Sequence, residues 1–549
     1  MASLNNLSIL NDSSVTRHSR STENSRSPDL TLCGSVWNDQ CTWLVDDEEI
    51  GGSDHLPIII TVQATAKHQP ITGKKPRWRS NGIVWQDFRE SVEIALTATP
   101  VPAPLKERVD RLVDAIITSA TKHVRKVKPG KRTKCWMTPK VRRLSKTRNA
   151  LRKTISSTRK EWLQACKDVN IAKQEARREQ WVEVVSSAIN DMDERSMWKF
   201  IKSLNGSPDT NSPNEVMVVN GQRITATKKK AEAFMHHYAS VSSLKISRQE
   251  RRRYHLHLKR TLDKPDRTDR DFPEFTMQEL KTAIGKMRRK GAPGPDDIAP
   301  AFLKELGPVA LSELLAICNI SVRTSNCPHL WKIAMIIPLL KANKPASDLA
   351  SYRPVSLTSC AAKVLERMMA ERLYYQAETQ GWFSDLQAGF RRGRSCTDQI
   401  LRISQAIEDG FQSKDLERSV LVLLDYSKAF DTVWRERLLL TLIDKGVPML
   451  AVRWIHSFLL NRQAKVSLHG EESSSRRLRQ GVPQGCVLSP LLFLFFIDNL
   501  AKRLSSENPE MAKKLIFSIF ADDVTILAKH TSRVEAAKAA QWAVDLVAK

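Results

Sequence analysis

Near the C-terminus, Ile516 to Ala528 reads IFSIFADDVTILA and sets two adjacent aspartates, Asp522 and Asp523, between two runs of Phe, Ile and Val. β-Branched and aromatic residues favour strands, so the pattern predicts a hairpin of two short strands, 517–520 and 524–527, with both carboxylates at its turn. Two such charges side by side repel each other. A divalent cation relieves that repulsion, and magnesium, a hard ion bound by oxygen ligands, is the expected one. Aspartate is also common in turns for backbone reasons alone, so the hairpin by itself does not separate a metal site from an ordinary Ala-Asp-Asp turn.

Upstream, Ser419-Val-Leu-Val-Leu-Leu is a second apolar run that ends in Asp425 and continues Tyr426-Ser-Lys-Ala-Phe430-Asp431. A continuous apolar run reads as a buried strand, here one that delivers a carboxylate at its C-terminal end. Three carboxylates on neighbouring strands suit two magnesium ions about 4 Å apart, the arrangement that activates an attacking hydroxyl and steadies a leaving pyrophosphate. Asp431, further along the same segment, is read as structural and as pointing away from Asp425's side. Between the two segments lies Arg479-Gln-Gly-Val-Pro-Gln484-Gly485-Cys-Val-Leu-Ser489-Pro490, followed by the apolar stretch Leu491 to Ile497. Ser followed by Pro is a helix-start signal, and the glycines let backbone approach a flat ligand. Each piece alone fits a core strand, a loop and an amphipathic helix; it is their order that points to chemistry.

The segments LDYSKAFDTVW (424–434), QGVPQGCVLSPLLF (480–493) and FADD (520–523) resemble motifs A, B and C of reverse transcriptases, specifically those of non-LTR retrotransposons of the jockey type. The likeness continues through KGAPGPDDI (290–298), WKIAMIIPLLKANKP (331–345), SYRPVSL (351–357) and QAGFRRGRSCTDQI (387–400), which are similar to the fingers segments of those polymerases. By motif position the resemblance makes Asp425, Asp522 and Asp523 the catalytic, metal-binding aspartates, with the Tyr426 backbone carbonyl as an additional ligand. It places Phe430 beneath the sugar of the incoming nucleotide, where a ring excludes a 2′-hydroxyl and selects dNTPs. Polymerases that make RNA from RNA commonly carry Asp at that offset and Gly before the double Asp, whereas this chain has Phe430 and Ala521. Gln484 and Gly485 would contact nucleotide and template. Arg353, whose fork of donors binds two phosphate oxygens at once, and Lys341 would hold the triphosphate. The implied cofactor is two Mg2+ ions, with Mn2+ as a substitute, and the implied partners are an RNA template, a DNA primer or target, and dNTPs. The implied reaction is attack of a primer 3′-hydroxyl on the α-phosphorus of a dNTP, in target-primed reverse transcription.

The same family carries an apurinic-type endonuclease ahead of the polymerase. Ser27-Pro-Asp29-Leu-Thr-Leu and Gly51-Gly-Ser53-Asp54-His55-Leu-Pro57 resemble its last two motifs, with Asp54 and His55 at a scissile phosphate and Asp29 orienting the imidazole. The nuclease's metal-binding Glu and the Asn and Asp that complete its site precede those motifs, so no phosphodiesterase activity is expected here. The fold expected is α+β: right-hand polymerase fingers and palm with an antiparallel palm sheet, preceded by a helical basic connector and a fragment of an α/β four-layered nuclease fold. The expected divisions are 1–62 for the nuclease remnant, 63–270 for the connector, 271–415 for the fingers and 416–549 for the palm. Later palm motifs and a thumb are expected beyond Lys549.

Charge fits a polyanionic partner. Lys and Arg outnumber Asp and Glu by 87 to 60, a formal net charge of +27 in 549 residues. Between Lys122 and Lys160 there are sixteen Lys or Arg and no acidic residue, and Arg251-Arg-Arg-Tyr254 to Lys259-Arg260 form a second cluster. Such tracts bind phosphates without reading sequence, and salt weakens them; a solvated basic linker has the same composition. The nine cysteines show no Cys-x-x-Cys pair, so they read as reduced thiols rather than as zinc ligands or disulfides. With no signal-peptide pattern and no apolar run long enough for a bilayer, an intracellular protein is expected, nuclear or cytoplasmic, not secreted and without a membrane partner. Oligomeric state is left open by the sequence.

Overall fold

This computed structural model describes residues 7–10, 14, 16, 29–34, 41–45, 56, 58–62, 77–78, 82–127, 137–151, 155–191, 217–219, 221–244, 246–264, 272–342, 344–506, 510 and 514–548. The chain divides into a unit over Met1–Ile71 and a second over Thr72–Lys549. In the first unit, strand β1 (Leu7–Ile9) pairs antiparallel with β2 (Leu32–Gly34), and β3 (Cys41–Val45) pairs antiparallel with β4 (Ile58–Val62). The Asp29 backbone N–H donates to Thr16 Oγ1 at 3.3 Å. Asp54 and His55 lie outside the described residues.

The second unit opens with the strand β5 (Arg77–Trp78), the helices α1 (Trp85–Ala98) and α2 (Leu105–His123), and β6 (Lys126–Val127). Phe88, Val92 and Leu96 recur every four residues along α1, and Val109, Leu112 and Ile116 make the matching stripe on α2. There follow α3 (Pro139–Leu151) and α4 (Ile155–Asp191), which pack on each other around Val141, Ala172 and Ala176, then β7 (Met217–Val219), β8 (Gln222–Ile224), α5 (Thr227–Val241) and α6 (Arg248–Leu262). Next come α7 (Met277–Gly285), α8 (Pro300–Lys304) and α9 (Pro308–Arg323).

The stripes of α1 and α2 are buried in the same core as α8 and α9: the Phe88 and Phe302 rings stand 5.4 Å apart. The first turn of α9 has no side-chain cap of its own, and the Glu93 carboxylate of α1 accepts from the N–H groups of Val309 and Ala310, both at 2.9 Å. Arg108 of α2 binds Glu313 of α9 through two hydrogen bonds of 2.8 and 2.7 Å. Packing therefore does not follow the compositional boundary at 270, because an amphipathic stripe is buried wherever it finds a matching apolar surface.

A mixed sheet is centred on β9 (Ile333–Leu340), antiparallel to β10 (Tyr352–Leu357). After these come α10 (Cys360–Thr379), α11 (Cys396–Gln412), β11 (Arg418–Asp425), α12 (Arg435–Asp444) and α13 (Met449–Leu459). On its other side β9 runs parallel to β12 (Gln463–Leu468), which carries the short strands β13 (Glu471–Glu472) and β14 (Arg476–Arg477). A strand from 416–549 thus completes a sheet begun in 271–415. Phe234, Met235 and Tyr238 of α5 cover it, against Ile336, Tyr352 and Val466.

The chain closes with α14 (Ser489–Ser506), β15 (Leu515–Phe520), β16 (Asp523–His530) and α15 (Arg533–Ala548). β11, β16 and β15 form an antiparallel sheet in that order. α15 packs on one face, toward Val420, Val422 and Leu424. On the opposite face Leu421 and Leu423 are 46% and 71% exposed. The expectation of a buried strand is corrected accordingly: β11 is an edge strand covered on one face, and an all-apolar run hides the period-two alternation that would have shown it. Among the described residues no helix is long and apolar enough to cross a membrane.

Candidate active site

Two strand pairings and one tight turn assemble the acidic centre. Asp425, the last residue of β11, stands directly across from Asp523, the first of β16, and Phe520 pairs with Asp523 from the other side. Ala521 and Asp522 make the turn, with Ala521 at φ +59. Partial loss of hydration first, and then the nearby charges of Asp522 and Asp425, raise the Asp523 carboxyl above the ordinary value. All three influences oppose ionisation.

Asp425 and Asp522 line a cavity of about 630 Å³ together with Tyr426, Phe430, Gln484, Gly485, Arg353 and Lys341. Eight of the nine polymerase residues singled out from the sequence therefore share one space. Asp523 is exposed and is not among the lining residues. Among the described residues no three acidic, histidine or cysteine side chains form a ready-made cage. Two carboxylates facing one cavity still suit magnesium, which is held by one or two carboxylates and completes its shell with water and substrate phosphates.

The walls come from distant parts of the chain. Lys341 follows β9 and donates its backbone N–H to Ser351 at 2.9 Å, while Arg353 projects from the paired strand β10. The Phe430 ring stacks on Phe493 of α14 at 4.7 Å and 15°, and meets Phe390 edge-on at 6.1 Å. Ser356 donates its N–H to Gln484 O at 2.9 Å, and a Cβ on Gly485, whose φ is +105, would lie 2.6 Å from Ser356 O. The close approach that requires glycine at 485 is thus to β10.

Three residues that sequence reasoning passed over hold this loop. The buried Arg435 guanidinium donates to the carbonyls of Gly481 (2.8 Å), Leu478 (3.1 Å) and Gln480 (3.2 Å). Glu366, also buried, accepts from Val487 N at 2.7 Å and Leu488 N at 3.2 Å, just ahead of α14. Asp431 accepts from Gln484 Nε2 at 3.1 Å and lines the cavity. Asp431 therefore faces the same cavity as Asp425 rather than away from it; the strand ends at Asp425, and Ala429–Thr432 is a 3-10 turn where strand alternation no longer applies. Helix α5 adds His237, Tyr238 and Val241 to the lining. Its only sequence signal is an apolar stripe, which says nothing about a cavity.

Burial pushes the Asp431 carboxyl up to about 6, against the pull of Lys428 and Lys341. A carboxyl pKa above its unfolded value costs stability as pH rises from the unfolded value through the folded one, and below both there is no penalty. Asp431→Asn escapes that cost. Its stability relative to wild type is therefore expected to improve by on the order of 2–3 kcal/mol between pH 4 and pH 7. Urea unfolding at both pH values checks this, and a difference independent of pH would show that Asp431 ionises normally.

Residues 341–544 match the family model described as reverse transcriptase (RNA-dependent DNA polymerase). The chain is 28% identical over 497 residues to the probable RNA-directed DNA polymerase from transposon BS of Drosophila melanogaster, covering 89% of this chain and 54% of that protein. It is 27% identical to the corresponding protein of transposon X-element from the same organism, covering 89% of this chain and 53% of that one. It is 31% identical to the RNA-directed DNA polymerase from the mobile element jockey of Drosophila melanogaster, over 52% of this chain and 31% of that protein. The chain thus spans about half the length of the first two of these curated relatives.

Proposed function

We propose that this chain, whose residues 341–544 match the reverse transcriptase family model, extends a primer 3′-hydroxyl with dNTPs on an RNA template as the polymerase of a jockey-type non-LTR retrotransposon. The observation that carries the reading is the convergence of Asp425, Asp522, Phe430, Gln484, Arg353 and Lys341 on one cavity at the end of the β11–β16–β15 sheet. In this reading that sheet with α15 is the palm, and the β9–β10 pair with Lys341 and Arg353 belongs to the fingers.

Asp425 and Asp522, with the Tyr426 carbonyl and Asp523 beside them, would hold the magnesium ions. When bound, these would neutralise charge on the transferring phosphoryl group and lower the pKa of the attacking hydroxyl. The protein residues do the rest by placement. Arg353 and Lys341 take the triphosphate oxygens, the Phe430 ring supports the sugar, and Gln484 lies beside the base pair. No covalent nucleophile is needed, because positioning and electrostatics carry phosphoryl transfer. The basic excess fits a template and primer held by phosphate contacts. Copying at a chromosomal target would require access to the nucleus.

Primer extension on an RNA template with magnesium tests the reading. Extension with dNTPs is expected, and RNA binding without any nucleotide addition, in a chain lengthened to match its relatives, would refute it.

A further inference from the structure

The segment from Ser384 to Arg391 meets β15 at Ile519, with one bond on each side of Gln387: Ile519 N–H donates to Leu386 O at 2.8 Å, and Ala388 N–H donates to Ile519 O at 2.9 Å. That pairing brings the fully buried side chain of Gln387 against the aspartate turn. Its Oε1 accepts from Ala521 N at 3.1 Å and from Gly389 N at 2.8 Å, while its Nε2 donates to Ala521 O at 3.4 Å. One amide therefore satisfies both backbone groups of the residue that precedes Asp522.

Ala521 needs such support. Its φ of +59 is left-handed, a conformation that a Cβ opposes and that turns usually give to glycine or asparagine. The approach is close enough that a Cβ on Gly389 would stand 2.1 Å from Ala521 N. The segment carrying Gln387 is itself anchored. Arg391 donates to Ser384 O at 2.9 Å and Gln387 O at 3.2 Å while binding the Glu378 carboxylate, and the Ser384 N–H donates at 2.7 Å to Asp498, which forms a buried ion pair with Lys445. A continuous set of bonds thus runs from the helical core to the turn.

We propose that Gln387 is a positioning residue for the metal centre: it holds Ala521 left-handed and so fixes where Asp522 points relative to Asp425. This rests on the reading that those two aspartates bind magnesium. Gln387 touches no reacting atom and acts only through the turn.

The test uses the full chain and Gln387→Met, which keeps the side chain's length and removes all three hydrogen bonds of the amide, two of them to Ala521. Hydrogen exchange over residues 519–523 is expected to quicken about tenfold, the loss of a modest hydrogen bond. Mn2+ binding, read by electron paramagnetic resonance without nucleotide, is expected to weaken about fivefold or more. In primer extension kcat should fall with the KM for dNTP unchanged. Adding Ala521→Gly to Gln387→Met should recover part of the Mn2+ affinity, because glycine accepts a left-handed φ without help. Unchanged exchange, or faster exchange with undiminished Mn2+ affinity, overturns the proposal. Asp522→Asn is the control that keeps the two ideas apart. If it binds Mn2+ like wild type, the metal-centre reading fails, and the exchange measurement still decides whether Gln387 clamps the turn.

Discussion

Asp522→Asn is expected to abolish primer extension while leaving RNA binding intact. The substitution keeps the shape of the side chain and removes its charge, at a position that lines the cavity with Asp425. Losing one of the two carboxylates proposed to hold magnesium forfeits several kcal/mol of transition-state stabilisation, on the order of a 10³-fold fall in rate. Asp425→Asn should match it. Asp523→Asn should cost less, since Asp523 is exposed and does not line the cavity. In the proposed function the template is held by basic residues spread along the chain, so RNA affinity and its salt dependence are expected to be the same in all three variants. The three proteins should also fold at least as well as wild type, because each substitution removes a charge from a mutually repelling group. Extension by Asp522→Asn within tenfold of wild type would sink the assignment.

The local parts of this site were legible because local chemistry decides them. Phe, Ile and Val around Asp522 make a hairpin wherever the sheet is, and Ser489-Pro490 starts a helix in any fold. The resemblance then supplied the grouping of Arg353, Lys341, Phe430 and Gln484, which spacing alone does not give. What escaped notice depends on partners far away in the chain. Gln387 lies in a recognisable segment, but its value comes from the backbone of Ala521, 134 residues later. Glu93 looks like one more helical carboxylate until α9 presents two N–H groups without partners. Tyr238 sits on an amphipathic stripe whose partner, the β9–β10–β12 sheet, is a tertiary fact. Asp431 was misjudged twice over: a period of two puts a position six residues on at the same side as Asp425, and the strand has already ended before it. The openness of β11 was missed for a related reason: when every residue is apolar, the sequence no longer distinguishes the covered face from the bare one.

Phe430→Ala is expected to let ribonucleotides be added in the proposed primer extension. The ring is fixed from two sides, stacked on Phe493 and edge-on to Phe390. Its backbone carbonyl is fixed as well, accepting from Val482 N at 2.8 Å. A ring held this firmly cannot swing aside for a 2′-hydroxyl, and rejection by collision is an effective form of specificity. Removing it should reduce the preference for dNTP over rNTP by on the order of 10²-fold or more, read as the ratio of kcat/KM values for single-nucleotide addition. Phe430→Tyr keeps the ring and should keep the preference. Phe493→Ala separates the ring's presence from its placement. That side chain lies outside the cavity lining, yet without it the Phe430 ring loses its stacking surface, so selectivity should fall by a smaller factor with the dNTP rate less affected. Both alanine variants also leave a void against α14, and a loss of up to about 3 kcal/mol in unfolding free energy is the expected accompaniment. If Phe430→Ala rejects ribonucleotides as strongly as wild type, discrimination lies in another wall of the cavity, and Tyr238 and Asp431 become the side chains to replace next.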